Sequence, residues 1–232
     1  QKRKLFTSVN DITIVPVSDW LGEIVKQSYL KDYPIRAINN GIDVNVFSPQ
    51  SRDGIRLKYG LADKFILLGV ATEWGRRKGL HDFIELSKML KDDEIIVLVG
   101  LKDDQIKILP ENIIGITRSE NTQELAEFYS SADVVMNISY EETFGLTTVE
   151  GFACGTPGIV YNTTASPELV DDSTGLIVDP GDIKGLVKAI TQIKEKGKQS
   201  YSEACVKRAH RLYRKEDRYR EYIELYEELL NK

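Results

Sequence analysis

Two glutamates, Glu142 and Glu150, bracket the run Phe144-Gly145-Leu146-Thr147, an arrangement suited to anion and hydroxyl chemistry. Gly145 lets the backbone come close to a ligand. A helix beginning at Leu146 and Thr147 presents N–H groups that have no partner of their own, and so favours anions. A diphosphate fits such a place. Each carboxylate can accept two hydrogen bonds at once. A second cluster, Trp74-Gly75-Arg76-Arg77-Lys78-Gly79-Leu80, sets three cations in a loop that follows one apolar run and enters a helical pattern.

Elements must position these groups, and the pattern supplies them. Short apolar, β-branched runs at 65–71, 94–100, 112–116, 133–138, 157–161 and 175–178 read as strands of a parallel sheet covered on both faces. Between them, Leu80, Phe83, Ile84, Ser87 and Leu90 mark one helical stripe, and Ile183, Leu186, Val187, Ile190 and Ile193 another. Asn121 with Glu124 reads as a capping box, and Ser166-Pro167-Glu168 as an N-cap before a first-turn proline. The alternation predicts a doubly wound, Rossmann-like α/β domain. Before it, 12–17 reads as a strand, 18–30 as an amphipathic helix and 35–38 as a short strand ended by the turn Asn39-Asn40-Gly41. After it, Ser200 with Glu203 is placed to cap a basic helix. The last helix carries an apolar stripe of Tyr222, Ile223, Tyr226, Leu229 and Leu230.

Composition narrows the class. Of 232 residues, 41% are hydrophobic and 29% charged, as in ordinary globular proteins. No apolar run approaches the roughly 20 residues of a membrane span. Two cysteines, Cys154 and Cys205, and two histidines offer no metal spacing. A net charge of −5 argues against broad nucleic-acid binding. No Gly-x-Gly-x-x-Gly follows the first strand, which disfavours a dinucleotide-dependent dehydrogenase.

The string from 132 to 181 resembles family 4 of the retaining glycosyltransferases. That family carries Glu, seven residues and Glu around a glycine turn, followed by Cys-Gly-Thr-Pro, here Cys154-Gly155-Thr156-Pro157. The resemblance implies the C-terminal domain of a GT-B glycosyltransferase, which uses a nucleoside diphosphate sugar as donor substrate and no metal or other cofactor. It implies that Glu142 contacts the sugar, Glu150 the ribose, and Lys78 the diphosphate beside Gly145, Leu146 and Thr147. Thr117 and Arg118, at the end of a strand, fall where the base sits in this fold. The family's second cation lies five residues before that lysine, where this chain has Glu73, so Arg76 or Arg77 is left to substitute. By the same resemblance, 1–45 is the segment leaving an acceptor domain, 46–205 the donor domain, and 206–232 a helix returning to the missing N-terminal domain. The expected setting is cytoplasmic or peripheral at the inner membrane face, with saccharide or lipid-linked acceptors in polysaccharide or lipopolysaccharide assembly. A non-catalytic nucleotide-sugar module and a GT-B sugar-nucleotide epimerase are the alternatives.

Overall fold

In the computed structural model, which describes residues 2–9 and 11–231, six runs of mainly Ile, Val and Leu pair into one parallel sheet. They are β1 Phe65–Val70, β2 Glu94–Val99, β3 Ile113–Ile116, β4 Val134–Asn137, β5 Gly158–Tyr161 and β6 Gly175–Val178. Each lies within one residue, at either end, of its sequence-predicted run. The order is β3-β2-β1-β4-β5-β6, so the winding reverses between β1 and β4. That reversal opens a crevice at the carboxyl ends of the strands, where α/β proteins hold ligands.

Helices cover both faces of the sheet. Three precede it: α1 Lys2–Phe6, α2 Asp19–Lys26 and α3 Asp53–Lys58. Within it, α4 Leu80–Ser87 follows β1, α5 Asp103–Ile106 follows β2, α6 Thr122–Ser131 follows β3, and α7 Leu146–Ala153 follows β4. Three close the chain: α8 Ile183–Lys196, α9 Gln199–Tyr213 and α10 Lys215–Leu230. On α8 the predicted stripe packs into the core through Leu186, Ile190 and Ile193. On α4, Phe83 and Ser87 of the predicted stripe are buried together with Leu86, which that stripe left out, while Leu80, Ile84 and Leu90 are only partly buried. α7 lies close on the sheet because Gly151 has no side chain. A Cβ there would stand 2.7 Å from Val135 Cγ2.

Several local expectations are corrected. Segment 12–17 forms no strand, only an isolated parallel bridge between Ile14 and Ile35. Pro16 and Pro34 lack the N–H groups that a longer ladder needs. The same limit reduces 35–38 to that bridge. The helix predicted over 18–30 is the shorter α2, capped by Ser18 Oγ accepting from Leu21 N. Beyond it, Ser28 Oγ donates to the Val25 carbonyl and accepts from Leu30 N, a local pattern that competes with helix. Asn121 does cap α6, but Glu124 completes no box: it accepts from Glu120 N and pairs with Lys58. The residue before the 3-10 turn Ser166–Leu169 is Ala165, and the Ser166 hydroxyl is buried with no hydrogen-bond partner. α9 begins before Ser200, whose hydroxyl donates to the Lys196 carbonyl, while Glu203 pairs with Lys207.

The entering and leaving segments meet. Ile42 N donates to the Tyr213 carbonyl (2.7 Å) and Lys215 N to the Ile42 carbonyl (3.0 Å). Lys215 also pairs with Asp43, and Arg36 with Glu228. Gly41 is needed here, because a Cβ would fall 2.4 Å from Lys215 Cα. Residue 206 lies inside α9. On α10, Leu225 is buried, whereas Ile223, Tyr226, Leu229 and Leu230 are exposed.

Candidate donor site

At the winding reversal, the β1–α4 loop faces the β4–α7 loop across a cleft of about 260 Å³. Lys78, Arg77 and Glu73 line one side, and Glu142, Gly145, Leu146 and Thr147 the other. The chain reaches this geometry through two glycines with positive φ. Gly79, at φ 72°, ends the 3-10 turn Arg76–Lys78 and starts α4. Gly145, at φ 104°, starts α7, and a side chain there would press on Leu169 at 2.9 Å. The first amides of α7 have no carbonyl to bond within the helix, so they present positive dipole ends to the cleft.

The cleft holds an ion pair. Lys78 Nζ donates to Glu142 Oε2 at 2.6 Å, with both side chains largely buried. The Glu142 amide donates to Thr164 Oγ1, which fixes the loop. Arg77 has no ion pair and no side-chain hydrogen bond. The same is true of Arg76, Arg118 and Arg211. Three of these four free guanidiniums border the cleft or the cavities beside it. Glu73 stays on the rim, mostly exposed, with Lys102 3.5 Å away.

An adjoining cavity of about 370 Å³ continues past Leu146 and Thr147 toward β3, lined by Gly100, Thr117, Arg118, Leu125 and Glu150. Glu150 Oε2 accepts from the Tyr129 hydroxyl at 2.7 Å. Burial pushes the Glu150 carboxyl above its usual range, with the tyrosine donor opposing. The structure therefore brings Lys78, Arg77, Glu142, Gly145, Leu146 and Thr147 around one cleft. It sets Thr117, Arg118 and Glu150 in the adjoining cavity and turns Arg76 away from the main cleft. The sequence reading missed Tyr129, Thr164 and Thr143, the last of which also lines the cleft; no local pattern gives a signal for them. Burial drives the Cys154 and Cys205 thiols up to about 12, which leaves them inert. Among the described residues, no three His, Cys, Asp or Glu side chains are grouped to hold a metal ion, and no helix is long and apolar enough to cross a membrane.

This fold is that of the C-terminal domain of a GT-B glycosyltransferase. Solved structures with the same fold include a sucrose-phosphate synthase from Thermosynechococcus elongatus, with a TM-score of 0.85 at 24% identity, over 96% of this chain and 59% of that one. They also include Anabaena Alr3699/HepE in complex with UDP-glucose, with a TM-score of 0.80 at 18% identity, over 93% of this chain and 64% of that one. The chain belongs to the family described as glycosyl transferases group 1, which matches residues 51–212. A D-inositol 3-phosphate glycosyltransferase of Arthrobacter sp. (strain FB24) is 34% identical over 155 residues, 60% of this chain and 37% of that protein. The chain spans less than half the length of the curated relatives it matches.

Proposed function

We propose that this chain is the donor-binding half of a retaining, metal-independent glycosyltransferase that works with an N-terminal acceptor domain. The donor is a nucleoside diphosphate sugar, and the acceptor is saccharide or lipid-linked, in polysaccharide or lipopolysaccharide assembly at or near the cytoplasmic membrane face. The observation that carries this reading is the cleft at the winding reversal, where Lys78 and Arg77 face the amide end of α7. Charge grows on the departing diphosphate as the bond to the sugar breaks, and fixed cations and dipoles stabilise it without a metal. The phosphates draw Lys78 away from Glu142, whose carboxylate then takes the sugar hydroxyls. Arg77, rather than Arg76, replaces the family arginine absent at Glu73. Glu150 accepts the ribose hydroxyls and Thr117 with Arg118 flank the base. HepE, solved with UDP-glucose, shows that a protein of this fold can hold such a donor.

Calorimetry with a panel of nucleoside diphosphate sugars, with and without EDTA, tests the reading. At least one donor is expected to bind equally well in both, and binding lost on chelation would sink the metal-independent part. Glu150 adds a pH signature. Its carboxyl is raised by burial, so it protonates earlier on acidification than an ordinary glutamate. Ribose hydroxyls then lose an acceptor, and nucleotide affinity is expected to fall as the pH drops from 7 toward and below that raised value. Glu150→Gln should flatten this profile. An unchanged profile in the variant removes Glu150 from the ribose site.

A further inference from the structure

On the far side of Arg77 from the base cavity lies a third hollow of about 460 Å³, walled by Arg76, Arg77, His81, Asp82, Tyr140 and Glu141. We propose that it is a subsite for a neutral saccharide ring of the acceptor, adjoining the donor diphosphate. The inference rests on the neighbouring cleft being the donor site.

Position gives the first argument. The base cavity beside β3 shares Leu146 and Thr147 with the Lys78 cleft, whereas this hollow, between the start of α4 and the β4–α7 loop, shares no residue with the base cavity. Arg77 is common to the Lys78 cleft and the hollow. A group bound in the hollow therefore lies next to the diphosphate and away from the base.

Chemistry gives the second. With Arg77 turned to the donor phosphates, Arg76 faces the carboxylates of Asp82 and Glu141, so the walls offer donors and acceptors without a surplus of positive charge to hold an anion. The Tyr140 ring is 37% exposed, yet it is held firmly. Its hydroxyl donates to Asp82 Oδ2 at 2.8 Å, the same oxygen that takes the Tyr161 hydroxyl at 2.7 Å. Its ring stands edge-to-face on Tyr161 at 5.5 Å, and its amide donates to the Arg77 carbonyl at 2.9 Å. Asp82 is itself buried in the first turn of α4. A pyranose has an apolar C–H face and a rim of hydroxyls that both donate and accept. A fixed aromatic ring beside planar guanidinium and carboxylate groups complements both features. A bare phosphate would instead meet two carboxylates.

The test is an NMR titration of the chain with methyl α-glucoside, methyl α-galactoside, methyl α-mannoside and inorganic phosphate, with pyrophosphate present to fill the donor cleft. At least one glycoside is expected to bind with a Kd of roughly 1–20 mM and to perturb Tyr140 and His81. Tyr140→Ala and the exposed Arg76→Ala should each weaken it by about fivefold or more, the size of one or two modest hydrogen bonds. Arg76→Ala keeps the test meaningful if the tyrosine variant fails to fold. The proposal is overturned if no glycoside perturbs the hollow, if both variants bind as the parent does, or if phosphate occupies it more tightly than every glycoside. Pyrophosphate binding is read in the same samples. Failure of the parent to bind pyrophosphate, with glycoside binding intact, would overturn the donor reading and with it the acceptor assignment, while leaving the hollow a saccharide site.

Discussion

Lys78→Ala is expected to weaken nucleoside diphosphate binding by about 10- to 150-fold, the worth of a charge-assisted hydrogen bond of about 1.5–3 kcal/mol. The affinity of the free nucleoside should stay the same, because the site proposed for base and ribose is the separate cavity toward β3. The upper part of that range is expected, for a reason the ion pair supplies. Lys78 and Glu142 neutralise each other at 2.6 Å. Deleting the ammonium leaves the Glu142 carboxylate facing the phosphates, so attraction is lost and repulsion is gained. Glu142→Gln added to Lys78→Ala should therefore recover part of the loss, which a double-mutant cycle by calorimetry would measure. Diphosphate bound by Lys78→Ala as tightly as by the parent would show that the lysine serves only its glutamate.

The largest stability effect is expected at Asp133. This carboxylate, 8% exposed, accepts from Arg56 Nη2 at 2.7 Å and from Ile66 N at 2.8 Å, and pairs with Arg52. Arg56 is just as buried, and spends its other N–H groups on the carbonyls of Leu61, Ala62, Lys64 and Ser131. Lys198 lies near, pulled down to about 7 mainly by burial and then by Arg52, with Asp133 opposing the fall. Asp133→Ala removes the anion and strands the buried guanidinium. Losing one member of such a pair costs about 3–5 kcal/mol. For a chain of this size that lowers Tm by about 6–20 °C. Asp133→Asn keeps an acceptor for Ile66 N without the charge and should fall between. A thermal melt of Asp133→Ala matching the parent would mean that the carbonyls around Arg56 suffice.

Much of this was legible in the sequence because the signals are local. Six apolar runs bounded by turns can only be strands of a covered sheet, and Gly145 before Leu146 announces a helix start open to anions. Partners that meet across the sheet edge left no such trace. Glu142 finds Lys78 from 64 positions away, Glu150 finds Tyr129 from 21, and Asp133 finds Arg56 from 77. The choice between Arg76 and Arg77 is of the same kind. A 3-10 turn rotates successive side chains by about 120°, so Arg77 reaches the Lys78 cleft and Arg76 does not, although both border the third hollow. Sequence alone cannot tell that tight turn from an irregular loop. Prolines explain the failed strand at 12–17, where apolar alternation was present but Pro16 withholds a donor.

The meeting of Ile42 with Tyr213 and Lys215 bears on the order in which the chain assembles. The Asp43–Lys215 contact closes a loop of 172 positions, while β1, β2 and β3 follow one another closely along the chain. Closing so long a loop carries an entropic cost that short-range pairing avoids, so the clasp forms after the sheet is in place. What forms last on few bonds also opens first, as a separate cooperative unit. Native-state hydrogen exchange should therefore find the amides of Ile42 and Lys215 opening well below the global unfolding free energy, while those of β1 and β4 exchange only with it. The sheet thus keeps its shape while the joint beside the cleft loosens and re-forms.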